Sequence, residues 1–179
     1  LELIDIESYF DDGHIVLKMN SLVDPEIIAA LCSASQRGTK VVLIIRGICC
    51  LLPGVPGVSD NITVISVVGR YLEHSRVFRF GSSNRGMRYL IGSADMMQRN
   101  LDGRVEALVP ITAAYDIARL DRIFELYLRN DIKRWELDRN GTWHNMTSPE
   151  SIDVHEALQV GLGTDSSSRR ETKPVVDVI

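Results

Sequence analysis

Apolar and polar positions follow two rhythms along this chain, and the switches between them mark its elements. Residues 1–10 carry a mixed helical periodicity that stops at Asp11-Asp12-Gly13. Residues 15–19 form a short apolar run ending on Asn20-Ser21, which predicts a strand. Asp24-Pro25-Glu26 is a strong helix start, with an N-cap acid, proline at the first helical position and a first-turn acid. Ile27, Ile28, Leu31 and Ala34 then carry an apolar stripe until Gly38. Residues 41–45 are a continuous apolar, mostly β-branched run, as expected of a strand buried on both faces. The strand–helix–strand order predicts a right-handed parallel unit.

Further on, residues 47–60 hold Pro53-Gly54 and Pro56-Gly57, predicting a surface loop at a strand's carboxyl end. Residues 62–67 read as a strand, and residues 76–80 and 88–91 as a hairpin around a polar Gly-Ser-Ser-Asn-Arg-Gly tip. Another strand is expected at 105–109, then a long helix over 112–129 with Ala114, Ile117, Leu120, Phe124 and Leu128 on its apolar face. Residues 135–137 and 142–144 predict a small hairpin through Asn140-Gly141. Residues 149–158 read as a short helix capped by Ser148, and the Ser- and charge-rich stretch 165–173 as flexible. The fold class is α/β, a mixed sheet flanked by helices, with one domain over 1–160 and a tail over 161–179.

Composition adds little to that outline, and charge adds more. A chain of 179 residues, 45% hydrophobic, can bury one sizeable core. The net charge of -4 argues against general nucleic-acid binding. It hides an asymmetry: between Arg70 and Arg104 seven arginines face Glu73, Asp95 and Asp102, so that window is +4 and the rest is -8. A cationic patch on an acidic body suits a specific polyanion such as a phosphate chain. Three cysteines, with Cys49 and Cys50 adjacent, make neither a disulfide framework nor a zinc spacing. The cytosol is the expected compartment, association with a membrane surface being left open; the N-x-S/T matches at Asn61, Asn140 and Asn145 would then be without consequence. No apolar run reaches the length of a membrane span. A start at Leu1, without an initiator Met, predicts a fragment of a longer protein.

Candidate chemistry centres on His74, with Arg76 two residues on, Arg70 four back and Glu73 beside it. In an extended segment His74 and Arg76 share one face, so an imidazole and a guanidinium can meet one phosphate. Arg46 ends an apolar strand before Gly47 and would reach the crevice where open α/β sheets bind ligands. Its planar fork matches phosphate oxygens. Lys18 and Asn20, at the end of the first strand, are supporting candidates at the same edge. Gly92-Ser93-Ala94-Asp95 offers small residues where backbone can approach a ligand. Glu106, expected in a strand, is a candidate partner of Arg104 or His74. Cys49 and Cys50 read as packing residues, and His14, His144 and His155 as structural or surface.

Six stretches carry a resemblance. They are Leu-Lys-Met-Asn-Ser-Leu-Val-Asp-Pro (17–25), Arg-Gly-Ile-Cys-Cys-Leu (46–51), Pro-Gly-Val-Pro-Gly (53–57), Gly-Arg-Tyr-Leu-Glu-His-Ser-Arg (69–76), Gly-Ser-Ala-Asp (92–95) and Arg-Asn-Leu-Asp (99–102). In this order, over about residues 1–145, they resemble the C-terminal catalytic half of the first bacterial polyphosphate kinase family. The resemblance implies a phospholipase D-like fold in which two similar halves face each other around a polyphosphate tunnel. It implies that the phosphorylated histidine and the Mg²⁺ ligands lie in the other half, so no metal ligand is assigned here. Arg46 and His74 match positions that contact the ATP phosphates, and His74 would protonate or steer the leaving oxygen. Relative to the phospholipase D pattern, Arg76 stands where lysine is usual and Gly81 where an aspartate would lie. His74 would then need another orienting acid, with Glu73 and Glu106 as candidates. Relative to the kinase family, Leu52 replaces a basic residue, Met96 a tryptophan and Gln98 a proline.

The function implied is reversible transfer of the ATP γ-phosphate to inorganic polyphosphate through a phosphohistidine outside this chain. His74 and Arg46 would hold phosphates, supported by Arg76, Lys18 and Asn20. Expected partners are ATP or ADP, polyphosphate, the preceding domains of the same chain and further copies in a homo-oligomer; nucleic acid is not expected. Two other readings stay open. One is a phospholipase D-type phosphodiesterase formed by dimerisation, with His74 as nucleophile. The other is a non-catalytic module that binds polyphosphate or nucleotide.

Overall fold

The computed structural model of the chain describes residues 1–101 and 103–165. Its elements follow the order α1 (Glu2–Glu7), β1 (His14–Met19), α2 (Pro25–Gln36), β2 (Lys40–Ile45), β3 (Ile62–Ser66), β4 (Arg76–Phe80), β5 (Arg88–Gly92), α3 (Gln98–Leu101), β6 (Leu108–Ile111), α4 (Ala114–Tyr127), β7 (Trp135–Leu137), β8 (Trp143–Asn145) and α5 (Val154–Asp165). The strands form one sheet in the order β6-β5-β4-β1-β2-β3-β7-β8. Strands β1, β2 and β3 are parallel, and every other pairing is antiparallel. The mixed α/β sheet expected from the sequence is the one found.

Alternation along the central strands splits the core into two layers. Ile15, Leu17, Met19, Val41, Leu43, Ile45, Phe78 and Phe80 pack with Ile4, Ile27, Leu31 and Ala34 of α1 and α2. Val16, Ile44, Ile65, Val77 and Tyr89 pack on the opposite face with Phe124 and Tyr127 of α4, Ile132 and Val154. The start of α2 is as its residues dictate: the Asp24 carboxylate accepts the Ile27 N–H at 2.9 Å, a cap that contributes about 1 kcal/mol. Gly38 ends the helix at φ +98°, a backbone region open to glycine.

Three local expectations are corrected. The strand expected at 105–109 lies at Leu108–Ile111 instead. Ser93 explains the shift: its hydroxyl accepts the Ala107 N–H at 3.1 Å and also bonds the Glu106 carboxylate, so the ladder with β5 begins only at Leu108. Pro110 is tolerated because β6 is the sheet edge. The helix expected at 149–158 starts at Val154, and Asp153 rather than Ser148 caps it, accepting the His155 and Glu156 N–H groups at 3.0 and 3.2 Å. Before it, Ile152 is held extended, donating to the Asp131 carbonyl at 2.8 Å and accepting from the Lys133 N–H at 2.9 Å. The β7–β8 hairpin forms through Gly141 (φ +83°), its second strand starting at Trp143. Residues 161–165 continue α5, and residues 166–179, most of the stretch read as a tail, lie outside the described residues.

Candidate functional site

Strands β1 and β2 end at one edge of the sheet, and antiparallel β4 begins there, with Lys18 opposite Val77. Backbone hydrogen bonds bind the following loops together. Leu22 donates to the Ile48 carbonyl at 2.9 Å, Cys50 to Leu22 at 2.9 Å, and Val23 and Asp24 to Met96 at 2.8 and 2.9 Å. The segment after β5 is thus fixed under the end of β1, which brings in Asp95.

Asp95 is the hub of the cluster. Its carboxylate accepts two bonds from the Arg76 guanidinium, at 3.2 Å from Nε and 2.8 Å from Nη2. It also accepts the Asn20 N–H at 2.8 Å and the Asn20 side-chain amide at 3.3 Å. Burial pushes the Asp95 carboxyl up, but these donors outweigh it and hold it below the ordinary carboxylate value. Asn20 passes the connection on, its Oδ1 accepting from Arg46 Nη2 at 2.9 Å. At the other end Arg76 Nη1 lies 2.6 Å from His74 Nδ1 and 2.8 Å from the His74 carbonyl. Arg76 Nη2 lies 3.2 Å from His74 Nε2. A neutral imidazole accepts at one nitrogen only, so the shorter contact assigns acceptance to Nδ1 and the ring proton to Nε2. His74, Arg76, Asp95, Asn20 and Arg46 form one continuous network, with His74 exposed and Arg46 half-buried at its two ends.

Lys18 is buried and turned away from this network. Its ammonium donates to the Ser75 hydroxyl at 2.8 Å, pairs with Glu73 at 3.2 Å and lies over the Tyr127 ring. Burial pulls its pKa below the ordinary lysine value, against the opposing pull of Glu73. Lys18 and Asn20 thus lie at the expected edge with their polar atoms committed to protein partners. Neither Glu73 nor Glu106 orients His74. Glu73 faces Lys18 and His155, and Glu106 bonds Ser93 and Asn100.

Gly81 is not the place of a missing orienting acid. It follows β4, whereas His74 precedes it, so the two lie at opposite ends of the strand, on the order of 17 Å apart. A carboxylate at 81 has no reach to His74 here. Gly81 is also at φ +109°, with the Gly86 carbonyl 2.3 Å from where a Cβ would stand. The arginines between 70 and 104 do not form one patch either. Arg85 pairs with Glu7 and Asp12, and Arg79 is buried, both at the far end of the sheet.

His155, expected to be structural or surface, is structural, and it supports the His74 loop directly. It is buried, its Nδ1 accepts the Tyr71 N–H at 3.0 Å, and its ring packs beside Tyr71 with centroids 5.8 Å apart. Gly69 lies so close that an added Cβ would be 2.5 Å from His155 Nδ1. Gln159, one turn on, donates to the Tyr71 hydroxyl at 2.7 Å. No sequence signal pointed to this contact, because its members lie 84 and 88 residues apart.

Beside the cluster an open depression of about 440 Å³ is lined by Ser75, Arg76, Gly92 and Ser93 with Val77 and Ile91. Among the described residues no group of three His, Cys, Asp or Glu side chains converges as a metal centre, and no helix is long and apolar enough to cross a membrane. The arrangement offers Arg46 and an exposed imidazole at the carboxyl ends of parallel strands, with the Arg76 guanidinium fixed behind them by Asp95, a setting suited to holding phosphate oxygens.

Comparison with known proteins agrees with this geometry. Residues 4–157 match the family model described as polyphosphate kinase C-terminal domain 2. The polyphosphate kinase of Prochlorococcus marinus is 48% identical over 147 residues, 82% of this chain and 20% of its own length. Polyphosphate kinase 1 of Chlorobaculum tepidum is 51% identical over 131 residues, 73% of this chain and 19% of its own. The chain therefore spans about a fifth of the length of these relatives. The crystal structure of polyphosphate kinase from Porphyromonas gingivalis superposes with a TM-score of 0.86 at 33% identity, covering 94% of this chain and 26% of that one. Nuc from Salmonella typhimurium, a phospholipase D family member, shares the fold at a TM-score of 0.51 and 15% identity, over 82% of this chain and 90% of its own. With a phospholipase D-like sheet and a family match over nearly its whole described length, this chain belongs to the polyphosphate kinase family, in which it corresponds to C-terminal domain 2.

Proposed function

We propose that this chain is the phosphate-holding half of an ATP–polyphosphate phosphotransferase whose phosphorylated histidine lies outside residues 1–179. The observation that carries this reading is the Asp95-centred network, which fixes Arg76 beside His74 and links it through Asn20 to Arg46. Membership of the polyphosphate kinase family supports the substrate class. The phosphodiesterase alternative has only a fold likeness at 15% identity behind it.

In the proposed reaction a histidine nitrogen outside this chain attacks the γ-phosphorus of ATP. The bond from that phosphorus to the β–γ bridging oxygen breaks, and ADP leaves with the electron pair. A terminal oxyanion of polyphosphate then attacks the phosphohistidine, breaking the N–P bond and returning the free imidazole. Arg46 and Arg76 would neutralise charge on the phosphate oxygens, which in phosphoryl transfer is most of what the protein contributes. His74, turning its Nε2–H away from Arg76, would donate to the departing oxygen. Mg²⁺, which would further neutralise phosphate charge, is assigned no ligand on this chain.

Titration of the 179-residue chain with ATP and with a short polyphosphate tests the binding half of this proposal. Arg46→Ala should weaken both ligands about tenfold, as expected for loss of a charge-assisted hydrogen bond. Unchanged affinity in Arg46→Ala would remove Arg46 from the site. A non-catalytic binding module predicts that His74→Ala in the full-length protein leaves turnover unaffected; the proposed role predicts a fall in kcat.

A further inference from the structure

A second polar cluster lies at the opposite end of the sheet, where β1 and β2 begin and β4 ends. A cavity of about 410 Å³ opens there, lined by Gly13, His14, Gly38, Lys40, Arg79 and Ser83, among others. Along β1 it is on the order of 17 Å from the Asn20 end of the sheet, so it is not an extension of the His74 cluster.

Arg79 is the unusual member. It is 4% exposed, yet among the described residues no carboxylate makes an ion pair with it. Its Nε has no hydrogen-bond partner, and Nη2 reaches His14 Nδ1 at 3.5 Å. Its guanidinium lies over the Phe124 ring at 5.5 Å and hydrogen-bonds the Tyr89 hydroxyl, which itself donates to Asp121 at 2.5 Å. Burying a guanidinium without a counter-charge is costly, and a buried cation is ordinarily paired.

The other lining groups add donors more than acceptors. Lys40 is exposed at the rim. The His14 imidazole is held to about 4 by burial and by the charges of Arg79 and Lys40, against a weaker opposite pull from Glu7, so it is neutral at neutral pH. With Nδ1 turned to Arg79, its proton sits on Nε2, which makes it another donor. Two acids also line the cavity. Asp12 is taken up by Ser82 at 2.5 Å and by Arg85 at 2.6 Å, and Asp11 is exposed. A guanidinium, an ammonium and an imidazole N–H around one cavity match the acceptor-only surface of a tetrahedral oxyanion.

We infer that this cavity is a second oxyanion site, taking inorganic phosphate or pyrophosphate on Arg79, Lys40 and His14, independently of the His74 cluster. The test is a ¹H–¹⁵N titration of the 179-residue chain, first with inorganic phosphate and then with pyrophosphate, at constant ionic strength. Saturable shifts are expected at the amides of Gly13, His14, Gly38 and Lys40. Tighter binding of pyrophosphate than of phosphate would assign the site to a phosphate chain, and the reverse order to the free ion. Arg79→Met should weaken this binding about tenfold and Lys40→Gln about threefold, while Arg46→Ala should leave it unchanged. Lys40 is exposed, so its variant gives an answer even where Arg79→Met fails to fold. Absence of saturable shifts at these amides would overturn the inference. So would wild-type affinity in Lys40→Gln, or in a folded Arg79→Met.

Discussion

Asp95 gathers the candidate residues without a sequence pattern that announces it. It is 75 residues from Asn20 and 19 from Arg76, and it stands in a run of small residues that suggests only a turn. An acid at 81, where the phospholipase D pattern has one, would be remote from the imidazole, and Asp95 reaches it through Arg76 instead. What the sequence made legible was the members with functional groups at strand ends, Arg46, His74 and Arg76. What it hid was which of them are bound to each other. Asp95→Asn should cost about 3 kcal/mol of stability, because it leaves the buried Arg76 guanidinium without its carboxylate. Denaturant unfolding of the variant against the parent chain measures it. The Asp95 carboxyl is depressed in the folded chain, so its stabilisation is complete above its ordinary value of 3.8 and is lost as pH falls below it. The difference between parent and Asp95→Asn should therefore shrink below about pH 4. A difference that stays constant down to pH 2 would separate the cost from the ion pair.

Helix α5 acts on the site from outside the sheet. Its His155 and Gln159 hold Tyr71, and Glu73, next to His74, lies between His155 at 3.8 Å and Lys18 at 3.2 Å. The loop preceding β4 is thereby gripped on two sides. His155→Ala should raise hydrogen exchange at the Tyr71 amide by an order of magnitude or more while exchange in β1 and β2 stays the same. His155→Asn, which restores an acceptor near Nδ1, should recover part of the protection. Exchange that rises equally across the sheet would mean a general loss of stability rather than a released loop. The elements that moved from their predicted places share a cause. β6 began late and α5 began late because single side chains, Ser93 and Asp153, captured backbone N–H groups. Capping and capture of this kind depend on contacts that periodicity does not carry. The central strands and α2 were legible because burial on both faces and a complete N-cap signal leave few alternatives.

At the scale of the molecule, two apolar layers around one mixed sheet give a unit that carries the proposed phosphate-binding edge, and relatives are about four times as long. In the proposed reaction this chain binds phosphates and the covalent step falls on residues beyond it. In the full-length protein His74→Ala should lower kcat for polyphosphate synthesis at least tenfold, a loss typical of a removed acid or hydrogen-bond donor, and change KM for ATP less. Initial rates over a range of ATP concentrations separate the two. The most direct measurement follows the phosphate itself. The full-length protein is incubated with ATP labelled at the γ-position, digested under alkaline conditions that preserve phosphohistidine, and mapped by mass spectrometry. Acid-labile phosphate is expected on a histidine outside residues 1–179, with no label on His74. Phosphate found on His74 would overturn the proposed reaction and make this edge the nucleophilic half.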